Sequence, residues 1–91
     1  MRFEWDEEKR TSNLRKHGLD FADVELAFRE ESVTLPDNRF DYGEIRYVTL
    51  SVLKGIVVAI VHTESSDLVR VISFRKATPK EERYYYEKIR D

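Results

Sequence analysis

The residues whose types and spacing best suit chemistry lie at positions 68–86, in the run LVRVISFRKATPKEERYYY. Its first half is an apolar strand that contains Arg70 and Arg75, and a guanidinium in such a strand is costly to desolvate unless it meets an anion. Their odd separation places them on opposite faces of a regular strand. Both therefore reach one site only if Arg75 lies beyond the strand end, which we expect. The alternatives are an ion pair with a core carboxylate or a snorkelling side chain at a sheet edge.

A helix is predicted directly after this strand. Thr78 is a good N-cap, Pro79 suits the first helical position, and Glu81 stands three residues after the threonine, which makes a capping box. Such a junction directs the arginines and the positive end of a helix dipole towards one small region. That region suits an anion.

Both histidines are candidates for proton transfer, because imidazole titrates near neutral pH. His62 follows the apolar run 56–61, where a hydrogen-bonded structural histidine is the alternative. His17 ends the first predicted helix beside Lys16, a candidate phosphate contact. A cation at a helix C-terminus also stabilises the helix, so His17 has a purely structural explanation as well.

Basic residues follow the arginine-bearing strand. Lys76, Lys80 and Arg83 are candidate phosphate contacts, and the last two are three residues apart on one helix face. The alternative is a solvated helix face, since Glu81 and Glu82 dilute the positive field.

Three consecutive tyrosines cannot all point towards one buried face of a helix. Tyr85 and Ile89 are four residues apart, so we expect both in the core. Tyr84 or Tyr86 is then available to stack on an unpaired base or to contact a partner. Trp5 is expected in the core.

No metal or cofactor is predicted. The chain has no cysteine, and its 2 histidines lie in different predicted elements without metal-ligand spacing. The absence of cysteine favours a reducing compartment. Neither a targeting segment nor a long apolar run is present, so we expect a soluble cytoplasmic protein with no membrane contact.

The net charge of −2 argues mildly against nucleic-acid binding, but the charge is unevenly distributed. Residues 1–45 have 7 basic and 12 acidic side chains, whereas residues 46–91 have 9 basic and 6 acidic ones. A local cationic site can therefore coexist with an acidic remainder. The alternative is that the charges only provide a soluble surface.

The pattern of elements predicts one α+β domain over residues 1–91, with two N-terminal helices packed on an antiparallel β-sheet and a C-terminal helix. In helix two, Phe21, Val24, Ala27 and Phe28 form a core stripe, whereas Leu14 is the only aliphatic side chain of helix one. The predicted elements are strands at 2–5, 33–35, 44–53, 56–63 and 68–75, a helix at 7–16, a second helix capped by Asp20, and a helix after Thr78. Gly18 is expected to end the first helix. The connections predicted between strands are a polar loop at 37–43, a tight Lys54–Gly55 hairpin and a loop at 64–67.

Three blocks of the chain resemble the BrnT toxin family. VRVISFRKATPKEERYYYE resembles the family's R-I-I-S-A-R-K-A-T segment and the E-R-x-x-Y helix that follows it. The N-terminal block FEWDEEK, with Asn13, KHG at 16–18 and Phe21, resembles its E-W-D-x-x-K-x-x-x-N-x-x-K-H-G-x-x-F opening, and VHTE at 61–64 matches a third block. Phe74 departs from the pattern, because many relatives have alanine there. It would narrow a pocket or fill a gap in the core.

The resemblance implies a ribonuclease toxin with a RelE-like fold, restrained by a cognate antitoxin that is ribbon-helix-helix-like and binds DNA. RNA cleavage without metal requires proton transfer and stabilisation of charge on the phosphorane. Arg70, Arg75, His62 and His17 are the catalytic candidates, and Lys16, Lys76, Lys80, Arg83 and Tyr84 are the RNA-binding candidates. The alternatives are a non-catalytic RNA- or protein-binding module, acting through a hetero-oligomer with its DNA-binding partner, and an inactive toxin.

Overall fold

A central β-sheet separates the N-terminal helices from the C-terminal one. The computed structural model describes residues 1–39, 41 and 43–90. Within these ranges the elements are β1 (Arg2–Glu4), α1 (Glu7–His17), a 3₁₀ turn (Phe21–Asp23), α2 (Val24–Phe28), β2 (Val33–Pro36), β3 (Tyr47–Leu53), β4 (Ile56–Ser65), β5 (Leu68–Lys76) and α3 (Pro79–Ile89). The α+β class is confirmed. In this part of the chain, no helix is both long and apolar enough to cross a bilayer.

The sheet is mixed, so the prediction of an antiparallel sheet was wrong in one respect. The strands within the described residues lie in the order β1-β5-β4-β3-β2. β1 pairs in parallel with β5, from Arg2 opposite Leu68 to Glu4 opposite Arg70, whereas the other neighbours are antiparallel. β1 meets a strand more than sixty residues away in sequence. Local periodicity contains no information about the direction of such a pairing.

Each face of the sheet has its own apolar cluster. The α1–α2 face buries Phe21, Val24 and Ala27 against side chains of β4 and β5. Phe74 is fully buried in this cluster, so its aromatic ring fills the core. The opposite α3 face buries Val48, Leu50, Val57, Ala59, Val61 and Tyr85. The prediction that Tyr85 packs in the core is confirmed, and Ile89 lies partly buried beside the same cluster.

The N-terminal helices match the prediction only in part. The expected second helix is a 3₁₀ turn followed by the five-residue α2, although Asp20 caps the turn as its position predicted. Gly18 ends α1 with φ +73°, as predicted for a C-terminal glycine. Trp5 is only half-buried, and it packs edge-on against Phe21.

Strand boundaries differ from the sequence prediction at several ends. β3 begins at Tyr47 rather than Glu44, and the Lys54–Gly55 turn is confirmed, with φ values of 52° and 80°. The predicted loop 64–67 shortens to a Ser66–Asp67 turn, because β4 continues to Ser65. The predicted polar loop 37–43 includes Phe40 and Tyr42, which lie outside the described residues.

α1 is attached to the sheet by a polar side chain. Asn13 is buried, whereas Leu14 is 44% exposed, so the helix's one leucine does not anchor it. The Asn13 amide donates to the carbonyl of Phe74 over 2.8 Å and accepts from the Phe74 N–H over 3.1 Å. It also donates to the carbonyl of Leu19 over 3.0 Å. Asn13 thereby satisfies both backbone polar groups of Phe74. Phe74 lies on β5 beyond Arg70, the last β5 residue that pairs with β1.

We expect Asn13→Ala to lower the free energy of unfolding by about 2–4 kcal/mol, because it leaves buried backbone groups of Phe74 unpaired. Urea denaturation measures the change. Ser12→Ala, an exposed neighbour on the same helix, is the control and should change stability by less than about 0.5 kcal/mol. Equal stabilities of the two variants would contradict this role for Asn13.

Candidate functional site

A β-bulge in β5 decides which way the two strand arginines point. Ser73 lies opposite Val61 and Val71 lies opposite His62, so Ile72 has no partner of its own on β4. Side chains along a strand alternate between the two faces of the sheet, and the extra residue shifts this alternation by one position. Arg70 and Arg75 therefore lie on the same face of the sheet, the α3 face, despite their odd separation. The prediction that Arg75 lies beyond the strand end was wrong, because it pairs with Ala59 inside β5.

Arg75 is held at the start of α3 by a bidentate ion pair. Its two terminal nitrogens donate to the carboxylate oxygens of Glu81 over 2.7 and 3.1 Å. The same carboxylate accepts the backbone N–H of Thr78, whose hydroxyl accepts the N–H of Glu81, so the predicted capping box is confirmed. The anion at this helix N-terminus is thus a side chain of the protein itself.

Glu81 stays ionised in this arrangement. Burial alone would raise its pKa, but hydrogen bonds from Arg75 and from the backbone of Thr78 outweigh burial and lower the pKa. A charged Glu81 keeps the guanidinium of Arg75 in one orientation.

Arg70 occupies a separate position on the α3 face. Its guanidinium donates to Glu4 on β1 over 2.9 Å, and both side chains are about half exposed. Arg70 lies opposite Thr63 and Arg75 lies opposite Ala59, four residues apart on β4. That spacing corresponds to roughly 13 Å along a strand. The two arginines share a face of the sheet, but they do not share a carboxylate partner.

An open cavity of about 280 Å³ adjoins Arg75. Its apolar wall is formed by Leu35, Val48, Leu50 and the half-buried ring of Tyr84. Its polar wall includes Arg75, Lys80, Asp37 and Asn38. Three of the predicted site residues therefore line one cavity: Arg75, Lys80 and Tyr84.

His17 and Lys16 line a more open depression at the bulge, with Asn13, Ile72 and Ser73. Burial, the positive charge of Lys16 and that of Arg75 all lower the pKa of His17. The imidazole is therefore neutral at pH 7 and can accept a proton.

His62 lies on the opposite face of the sheet from Arg75. It is fully buried, its ring stacks on Tyr47, and its Nε2 atom lies 2.7 Å from the hydroxyl of Thr49. Its Nδ1 atom has no hydrogen-bond partner among the described residues, and it lies 3.7 Å from a carboxylate oxygen of Glu64. Burial lowers the pKa of His62 despite the opposing effect of Glu64.

The remaining predicted RNA contacts are dispersed. Lys76 is exposed and lies opposite Val58, which belongs to the α1–α2 face. Arg83 lines a separate surface depression with Tyr86 and Arg90, although it is only three residues from Lys80. The structure brings neither of them to the cavity beside Arg75.

The sequence analysis missed two contributors to the site. Asn13 entered only as a motif position. The available signal was that the first helix has one aliphatic side chain, Leu14, so a polar side chain had to help attach it to the sheet. Residues 35–39 line the cavity, whereas the sequence predicted only a strand end and a polar loop there. No local pattern indicates what such a loop packs against. Within the described residues, no group of three histidine, aspartate or glutamate side chains is arranged to hold a metal ion.

A small α+β domain with an arginine and a lysine beside an open, partly aromatic cavity belongs to the class of candidate anion- or nucleic-acid-binding proteins. The family model described as "Ribonuclease toxin, BrnT, of type II toxin-antitoxin system" matches residues 5–81. The chain therefore belongs to the BrnT family of ribonuclease toxins, and an antitoxin partner is implied by that membership. A search of curated proteins found no match.

We expect the stability of the protein to fall as the pH decreases from 7 to 5, with His62 as a main cause. Its pKa is lowered in the folded state, so the unfolded chain binds more protons below its ordinary value of 6.5. The contribution of neutral His62 to the free energy of unfolding is fully present above pH 6.5. As the pH falls from 6.5 towards the pKa of His62 in the folded state, this contribution decreases by up to about 1.4 kcal/mol per pH unit.

Urea titrations at several pH values measure this slope, and His62→Gln should flatten it. His17→Gln is the control, and it should leave most of the slope in place because His17 is only half-buried. Parallel pH profiles for the wild type and His62→Gln would contradict the assignment.

Proposed function

We propose that this protein cleaves single-stranded RNA without a metal ion, and that Arg75 is the main cationic group at the scissile phosphate. The observation that supports the proposal best is the position of Arg75, which is fixed by Glu81 at the edge of an open cavity that also contains Lys80. An oriented guanidinium stabilises negative charge on a phosphorane without reorganising during the reaction.

The ion pair leaves Arg75 able to bind a phosphate. Glu81 accepts one hydrogen bond from each terminal nitrogen, and the carbonyl of Lys76 accepts another over 3.3 Å. Because a guanidinium has five N–H donors, those three bonds leave two donors for an anion. Lys80 adds a second positive charge at the cavity wall.

Proton transfer in this proposal is assigned to His17. Its lowered pKa keeps the imidazole neutral, as a base that removes the proton of a 2′-hydroxyl requires. Attack of that oxygen on phosphorus forms the bond of a 2′,3′-cyclic phosphate and breaks the bond to the 5′-oxygen, which takes up a proton from solvent, while the proton of the 2′-hydroxyl stays on His17. Lys16 is adjacent to His17 and is proposed to bind a neighbouring phosphate.

The other candidates have weaker support in this mechanism. His62 is buried on the opposite face, and a structural role follows from its contacts with Tyr47 and Thr49. Arg70 is exposed and paired with Glu4, which suits an auxiliary phosphate contact. Lys76 and Arg83 lie outside the cavity, and their contacts with RNA phosphates at its periphery stay a prediction.

We further propose that the RNA cleavage inhibits translation in the cytoplasm and that a ribbon-helix-helix-like, DNA-binding antitoxin neutralises it. The family description supports an antitoxin partner in general. The acidic balance of residues 1–45 would complement a basic DNA-binding protein. The RelE-like relationship stays a prediction.

Purified protein should degrade total RNA equally well in EDTA and in Mg²⁺, and its expression without an antitoxin should arrest growth. Gel electrophoresis of the RNA, with detection of 2′,3′-cyclic phosphate ends, measures the reaction. Intact RNA together with harmless expression would contradict the proposal. Binding of RNA without cleavage would instead favour the non-catalytic module, since the same cationic groups would then serve affinity alone.

We expect Arg75→Ala to reduce the cleavage rate about a hundredfold or more, because it removes the positioned donors at the phosphorane. Arg29→Ala, at an exposed arginine of the α1–α2 side that pairs with Glu25 outside the cavity, is the matched control and should change the rate less than about threefold. Urea denaturation of both variants shows whether the fold is retained. A folded Arg75→Ala variant with the wild-type rate would exclude Arg75 as the main phosphate group.

A further inference from the structure

The cavity beside Arg75 combines two chemistries within one concave site. One wall is aliphatic and aromatic, from Leu35, Val48, Leu50 and Tyr84. The other wall is charged: its cations are Arg39, Arg75 and Lys80, and the carboxylates of Asp37 and Glu81 pair with Arg39 and Arg75. A site for phosphate alone needs no apolar wall, because a phosphate group presents only charged oxygens. A ligand that has an apolar surface as well as a negative charge would match both walls.

An unpaired nucleotide meets both requirements. A nucleobase has a flat apolar face that packs on aromatic rings and aliphatic side chains, and a phosphate lies on each side of it in RNA. The ring of Tyr84 is half-buried and has the Lys88 ammonium 5.4 Å from its centroid. The amide of Asn38 on the polar wall offers a donor and an acceptor to a base edge.

The size and position of the cavity agree with that occupant. Its volume of about 280 Å³ is at the lower end of the range for small-ligand sites, so it accepts one base and not a folded segment. α3 supplies Tyr84 on the apolar wall and Lys80 one turn earlier. A base against Tyr84 would therefore have its phosphate near Arg75 and Lys80.

We propose that this cavity is a nucleobase subsite that takes one unstacked base of the RNA, while the adjoining phosphate binds Arg75 and Lys80. The inference rests on the proposed function only in its choice of RNA as the ligand, and it concerns binding and not cleavage. Under this proposal, the base bound in the cavity determines which adjoining phosphate lies at Arg75 and is cleaved.

Fluorescence anisotropy with labelled hexanucleotides tests the proposal apart from cleavage. The probes have 2′-deoxy sugars, which lack the attacking hydroxyl, and each probe has one abasic position. We expect one abasic position to weaken binding by roughly fivefold to a hundredfold, the loss typical of one base–aromatic contact. An equal affinity for all abasic probes and the intact probe would overturn the proposal.

Filling the cavity provides the matched comparison. Leu35→Trp adds bulk at the half-exposed cavity wall, so it should abolish the difference between the intact and the abasic probe. Leu26→Trp enlarges an exposed leucine of α2, outside the cavity, and should retain the difference. Tyr84→Phe should also retain it, because the ring remains.

The outcomes separate this inference from the proposed function. Abasic-sensitive binding by a protein that never cleaves RNA would support the subsite and contradict the nuclease activity. Cleavage that depends on Arg75, with no difference between the probes in any variant, would support the activity and overturn the subsite. Normal probe binding by Leu35→Trp, with loss of neutralisation by the antitoxin, would make the cavity a protein-docking site and would also overturn the subsite.

Discussion

The contact between Asn13 and the backbone of Phe74 is the constraint on which the rest of the site depends. Asn13 bonds the N–H and C=O of Phe74, which follows Ile72 and Ser73 at the bulge. At this point of β5 the pairing with β1 has already ended, at Arg70. An unpaired edge would tolerate a slip in register, and a slip of one residue exchanges the two faces. Phe74 then faces the α1–α2 core and Arg75 faces the α3 side, and the contact holds α1 against β5.

A single carboxylate then links the strand to the C-terminal helix. Glu81 completes the capping box of α3 and pairs with Arg75 from β5, so the position of the helix and the orientation of the guanidinium depend on one another. Tyr85, about one turn before Ile89 on the buried face of α3, donates its hydroxyl to the carbonyl of Glu31 and fixes the other side of the helix. The cavity between α3 and residues 35–39 is the space that these two attachments leave.

Local signals in the sequence predicted the features that depend on neighbouring residues. Thr78 and Glu81 indicated the capping box, Gly18 the left-handed end of α1, and Lys54–Gly55 the hairpin turn, and each is confirmed. The second helix was predicted too long, because the stripe from Phe21 to Phe28 fits both a regular helix and a 3₁₀ turn followed by a short helix. His62 read as a strand-end residue open to chemistry, yet β4 extends beyond it, and Phe28 and Tyr47 cover its ring.

The sequence by itself determined the class of fold, the family blocks and the pairing of a basic strand with a capped helix. These follow from hydrophobic periodicity, turn chemistry and residue types within a few positions of one another. Only the tertiary structure decided that Arg70 and Arg75 share a face and that Arg75, Lys80 and Tyr84 line one cavity. A bulge of one residue reverses every side chain beyond it, and the nearby contact between Asn13 and Phe74 joins residues 61 positions apart, beyond the range of any local pattern.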